Sequence, residues 1–115
     1  MAVSNLQMLT IIETMEAFLD RKRPPEHIRP QLDINYKIED QSVIINEIRP
    51  QWNNTAIIRE HGVAKATFIK SKNQWKVFWL RADLKWYPYD PKPLVKALSD
   101  FTRLVEEDKH HCFWG

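Results

Sequence analysis

Val63-Ala64-Lys65-Ala66-Thr67-Phe68-Ile69-Lys70-Ser71, then Lys72-Asn73, then Gln74-Trp75-Lys76-Val77-Phe78-Trp79-Leu80-Arg81-Ala82 is the stretch on which the fold turns. Two runs rich in β-branched and aromatic residues flank a two-residue polar turn, the pattern of a β-hairpin. On the second run Trp75, Val77 and Trp79 fall on one side and Phe78 and Leu80 on the other. Both sides are apolar, so this strand is expected to be central and covered on both faces.

Upstream, residues 31–39 alternate: Leu32, Ile34, Tyr36 and Ile38 against Asp33, Asn35, Lys37 and Glu39. That is the period of a half-buried strand. Asp40-Gln41-Ser42 is turn-like, and Val43–Arg49 reads as an antiparallel partner closed by Pro50. Residues 51–62, with Trp52, Asn53-Asn54 and Gly62, read as an irregular connection with room for a short strand through 56–58. Downstream, Lys85–Tyr89 extends the meander before prolines 91 and 93.

Helical periodicity appears only at the two ends. Met8, Ile11, Ile12, Met15, Phe18 and Leu19 define one face of a helix over 4–22, with Ser4 as N-cap and Pro24-Pro25 as its stop. Asp90 followed by Pro91 reads as a second N-cap and first helical position. From there Leu94, Ala97, Leu98, Phe101, Leu104 and Val105 line a face running to about Asp108. The expected fold is α+β: an N-terminal helix, an antiparallel meander of four to five strands and a C-terminal helix packed on the sheet, in one domain spanning 1–115.

Composition fits a core built without staples. Of 115 residues 43% are hydrophobic and five are Trp, so buried aromatic area replaces disulfides. One cysteine, Cys112, excludes an intramolecular disulfide and favours a reducing compartment. No signal peptide and no membrane span are read in the chain, so the expected location is cytoplasmic, with no membrane partner. Formal net charge is +2, but residues 63–96 carry eight basic side chains against Asp83 and Asp90. Excess lysine on strands keeps sheet edges soluble or marks a surface for an anionic ligand.

Catalytic and nucleotide-binding motifs are missing. Two glycines, Gly62 and Gly115, exclude a glycine-rich phosphate loop. A small enzyme would need His27 or His61 brought near Glu47. His110, His111 and Cys112 are weak metal candidates, because adjacent residues rarely converge on one ion; a frayed polar helix end before an anchoring Phe113-Trp114 accounts for them better. No metal and no cofactor is expected. Glu47 and Arg49 share a strand face, so they either pair with each other or leave Arg49, beside Trp52, to bind an anionic or aromatic ligand. From 63 to 89 basic and aromatic residues interleave, with Lys65, Lys85, Trp86 and Tyr87 the strongest candidates to contact a partner.

Glu47-Ile48-Arg49-Pro50-Gln51-Trp52, Ala64-Lys65, the spaced Trp75, Trp79 and Trp86, and the terminal Phe113-Trp114-Gly115 resemble the bacterial family catalogued as domain of unknown function 3024. The resemblance covers nearly the whole chain. It implies a small bacterial cytoplasmic protein with no assigned activity, cofactor or catalytic residue. The residues themselves favour a non-enzymatic binding module. Its partner is a protein, a second copy in a homodimer, or single-stranded nucleic acid held on 63–89.

Overall fold

The hairpin at 63–82 forms as the alternation predicts, but its first strand begins far upstream of Val63. The computed structural model describes residues 5–114. It comprises α1 (Asn5–Lys22), β1 (Asp33–Glu39), β2 (Ser42–Gln51), β3 (Asn54–Ile69), β4 (Gln74–Leu80), β5 (Trp86–Pro88), β6 (Leu94–Val95) and α2 (Leu98–Glu107). The Ser4 cap expected from the sequence lies outside the described residues. Strands β1 to β5 follow one another across an antiparallel sheet, and β6 pairs with β4 beside β5. The fold is α+β, as expected.

Both helices lie on one face of the sheet. Ile11, Met15 and Phe18 from α1 and Leu98, Phe101 and Val105 from α2 are buried against Val43, Ile45, Ala64, Ala66, Trp75 and Val77. The strand residues in this set alternate with half-buried neighbours (Ile44, Lys65, Lys76, Phe78), so the opposite face is open among the described residues. The expectation that β4 is covered on both sides is corrected: the strand is central in pairing, yet Phe78 and Leu80 look out from an uncovered face.

Residues 54–62 are not irregular. They extend β3 against β2, with Trp52-Asn53 at the hairpin tip, and Pro50 sits inside β2 opposite Ile58. The pattern was hidden by a β-bulge: Ile45 opposes Ala64, but Asn46 opposes Gly62, leaving Val63 as the extra residue. Val63 and Ala64 therefore both point to the core, at 5% and 0% exposure. Alternation slips by one there, so a period-2 reading started at Val63 misses everything before it.

The helix expected from Pro91 starts at Leu98. Leu94-Val95 instead pairs with Trp75-Lys76, and Val77 donates its N–H to Pro93 O (2.9 Å) while accepting from Tyr89 N (2.9 Å). An otherwise unpaired β4 edge is thus satisfied by residues 89–95, and two prolines spaced by one residue suit extended backbone. Ala97 caps α2, its N–H donating to the Asp100 carboxylate at 3.2 Å.

The C-terminal tail is clasped to the core. Asp108 ends α2 in the left-handed region (φ 41°) and is only 8% exposed. Its two carboxylate oxygens accept the N–H groups of Phe113 (3.1 Å) and Trp114 (2.9 Å). Phe113 stacks on Tyr89 at 4.8 Å, and the Trp114 indole donates to Val105 O at 2.8 Å. Phe113 is core and Trp114 packs partly buried beside it, so the end of the chain is anchored. At the other end a two-pronged pair from Arg23 to Asp33 (2.8 and 2.9 Å) ties the chain after α1 to the start of β1.

Asp108→Ala should lower the free energy of unfolding by about 2–4 kcal/mol, from two lost charge-assisted hydrogen bonds plus a strained φ for alanine. Urea titration measures it; a loss below about 0.5 kcal/mol would show that the clasp contributes little. The pairing with Arg23 holds the Asp33 carboxyl below the usual aspartate range. Its folded value is depressed, so its stabilisation is present above about pH 4 and is lost as pH falls through the lower native value. Asp33→Asn should flatten that acid limb in urea titrations run between about pH 5 and pH 2.

Candidate functional site

The seven residues singled out from the sequence separate into three places. Glu47 and Arg49 lie on the part of the β2–β3 hairpin that extends past the bulge, and they pair with each other (Arg49 Nε to Glu47 Oε2, 3.1 Å). His61 stands opposite Glu47 in the register and is solvent-exposed, whereas His27 lies in the turn before β1. Trp52, at the hairpin tip, is 91% exposed. Exposed Ile57 and Ile58 accompany it, and the tip is braced by side-chain bonds from Gln51 to Asn53 and from Arg59 to Gln51.

Tyr87 and Lys85 belong to the end of the β4–β5 hairpin. Tyr87 donates its hydroxyl to Asp83 Oδ2, and the Arg81 guanidinium lies over its ring at 4.6 Å and over Trp79 at 5.4 Å. Lys85 is exposed in the turn, its backbone N–H on Asp83 Oδ1. Hydrogen bonding to the Asp83 carboxylate raises the phenol's ionisation range and lowers that of the carboxyl.

Lys65 and Trp86 do come together, on the open face, and with them Phe78, which strand alternation alone does not separate from the core. Lys65 Nζ lies 4.9 Å from the centroid of the Phe78 ring and 5.1 Å from that of Trp86. Lys76 Nζ approaches Phe78 at 5.3 Å. Neither lysine has a carboxylate within ion-pair distance among the described residues. Burial pushes the Lys65 ammonium below the usual lysine range, opposed by the field of Glu39. A half-buried cation with no ion-paired carboxylate among the described residues is held here against two ring faces, with Glu39 acting from beyond ion-pair distance.

Gly62 makes this geometry possible. A methyl on its Cα would sit 2.8 Å from Trp86 Cζ2 and 3.0 Å from Cη2, so the indole lies directly on glycine backbone. The bulge at Val63 turns Gly62 to the same face as Lys65. Register, bulge and glycine together seat the ring.

His110, His111 and Cys112 do not converge: no group of three or more His, Cys, Asp or Glu side chains is gathered as a metal site would require, among the described residues. The Cys112 thiol contacts His110 O at 3.7 Å, and burial pushes its ionisation up, away from thiolate chemistry. No helix among the described residues is long and apolar enough to cross a membrane.

A two-layer α+β protein with one sheet face left open and basic-aromatic is the class these features define. Over residues 3–115 the chain matches the family described as domain of unknown function (DUF3024), and it belongs to that family. No curated protein and no solved structure shows significant similarity to it.

Gly62→Ala should displace Trp86 and cost about 1–3 kcal/mol through overpacking. The indole N–H resonance of Trp86, assigned by its loss in Trp86→Phe, should shift in the alanine variant. An unmoved resonance with unchanged stability would show that the ring does not rest on Gly62.

Proposed function

We propose that the protein is a non-enzymatic cytoplasmic binding module whose ligand surface is the open sheet face, and that this face takes single-stranded nucleic acid. The observation that carries the reading is Lys65, unpaired by any carboxylate among the described residues and set over Phe78 and Trp86 on a face that neither α1 nor α2 covers. Aromatic rings on an exposed sheet offer stacking to bases of any sequence, and adjacent lysines attract the backbone. A phosphate approaching Lys65 and Lys76 would supply the counter-ion the protein itself withholds. The side chain of Lys65 would leave one ring face for the phosphate as a base takes its place. The single cysteine, half-buried and protonated, is in keeping with a reducing compartment.

A protein partner is the second reading, favoured by Trp52 at 91% exposure on a braced hairpin tip. Rigid exposed tryptophans are common anchors of protein interfaces.

Fluorescence anisotropy with labelled single-stranded and duplex oligonucleotides of mixed sequence, at about 50 and about 200 mM salt, separates the two. Single strands should bind in preference, with affinity falling roughly tenfold between these salt concentrations, as about three phosphate contacts require. Trp86→Ala should weaken binding about tenfold, the size of one lost stacking contact, and the surface change Lys76→Glu should weaken it without touching the indole. Trp52→Ala should have no effect. Binding lost in Trp52→Ala alone would move the site to the hairpin tip, and no binding at low salt would sink the nucleic-acid reading.

A further inference from the structure

A second concavity lies away from the open face, between the β6 segment and α2. It encloses about 560 Å³. Tyr89, Leu94 and Leu104 give it an apolar floor, while Lys92, Lys96 and Arg103 stand on its rim. That volume falls within the range of small-molecule sites. Asp100 and Glu107 also line it, but each already faces a cation, Arg103 at 3.7 Å and Lys109 at 3.3 Å. Lys92 and Lys96 have no carboxylate within ion-pair distance among the described residues, so the rim is left positive.

Tyr89 supplies the independent observation. The residue is only 2% exposed, its ring packed on Phe113 and edged by His110. Its backbone N–H is spent on Val77 O, and its hydroxyl makes no hydrogen bond among the described residues. Yet no fully buried side-chain oxygen lacks a partner among the described residues. The sliver of Tyr89 that reaches solvent therefore includes the hydroxyl, and Tyr89 is one of the residues that line the cleft. Burial raises the phenol's ionisation range, assisted by the fields of Cys112, Asp108 and Glu107. The hydroxyl is a neutral O–H donor.

We infer that this cleft is a binding site for a small organic anion with an apolar body, whose acidic group meets Lys92 and Lys96 at the rim and accepts a hydrogen bond from the Tyr89 hydroxyl. Chemistry decides the class: a cationic rim and an unpaired O–H donor call for an acceptor of negative charge, and the floor calls for rings or alkyl groups. The site is separate from the open sheet face and does not depend on the nucleic-acid reading.

The test uses 8-anilinonaphthalene-1-sulfonate and the neutral N-phenyl-1-naphthylamine as probes of the whole chain, followed by fluorescence titration and by amide shift mapping. The sulfonate should bind saturably at one site, with shifts centred on residues 89–96 and 100–107. Tyr89→Phe keeps the packing and should weaken it about tenfold, the size of a hydrogen bond to a charged acceptor. K92E/K96E alters only exposed side chains and should weaken it by about tenfold, from two reversed surface charges, leaving the neutral probe within twofold. Unsaturable binding, shifts centred on Lys65 and Trp86, or wild-type affinity in either variant overturns the inference. Thermal midpoints no lower than that of the wild type in both variants ensure that the loss reads the site and not the fold.

Discussion

One extra residue, Val63, sets the layout of this molecule. Because β3 carries it opposite a single step of β2, Val63 and Ala64 both enter the core while Gly62 and Lys65 both reach the open face. Below the bulge, strand side chains alternate between helices and solvent in the ordinary way. Beyond it, the β2–β3 hairpin continues with residues 54–61 exposed throughout, where neither helix covers it. The same slip puts a glycine under Trp86 and thereby permits an indole to lie on backbone. Body, arm and aromatic cluster are consequences of one irregularity.

The covered face depends on a different economy. Two small residues, Ala64 and Ala66, run down the middle of the sheet with no exposure, so larger side chains from both helices can close on them. Three fastenings hold the layers in register: the Arg23–Asp33 pair after α1, an Arg21–Glu106 pair (2.7 Å) between the helices, and the Asp108 clasp at the tail. The first two are partly exposed pairs at the surface and contribute modestly. Asp108 is buried and serves backbone donors that no helix or strand would otherwise satisfy, which makes it the fastening with the most to lose. Tyr36 adds a further link: burial and the nearby Glu16 carboxylate push its phenol up to about 12, so β1 presents a neutral hydroxyl towards α1 across the working pH range.

How much of this was legible follows from which signals are local. Helix α1 and its end before Pro24 were readable because periodicity and proline sterics act within a few residues. Strands β1, β2 and β4 were readable from alternation. The arm was not, because the bulge changes phase inside β3, and phase is all that a period-2 pattern carries. The false start of α2 at Pro91 came from judging Asp90-Pro91 by local propensity, when the unpaired edge of β4 decides the matter from a distance. For the candidate site, interleaved charge and aromatics point to Lys65 and Trp86 but carry no sign that one sheet face goes uncovered, so pattern alone places Phe78 in a core. Lys92, Lys96 and Tyr89 were invisible as a group: they meet only because β6 forms.

What stability alone does not require is informative here. At Tyr89 a phenylalanine would fill the same space, pack on Phe113 as well, and avoid carrying a nearly buried hydroxyl that makes no hydrogen bond among the described residues; the hydroxyl lowers stability unless something outside the chain receives it. Lys65 is held against two rings with its charge poorly hydrated, where a threonine would suit a strand better. Trp52 holds a large apolar side chain in water at the end of a braced hairpin. By contrast Asp108, Gly62, Ala64 and Asp33 are each explained in full by what they touch. The residues left over from that account cluster at three points, the open face, the cleft beside α2 and the hairpin tip, and a sequence that departs from its own packing logic does so most readily where it meets another molecule.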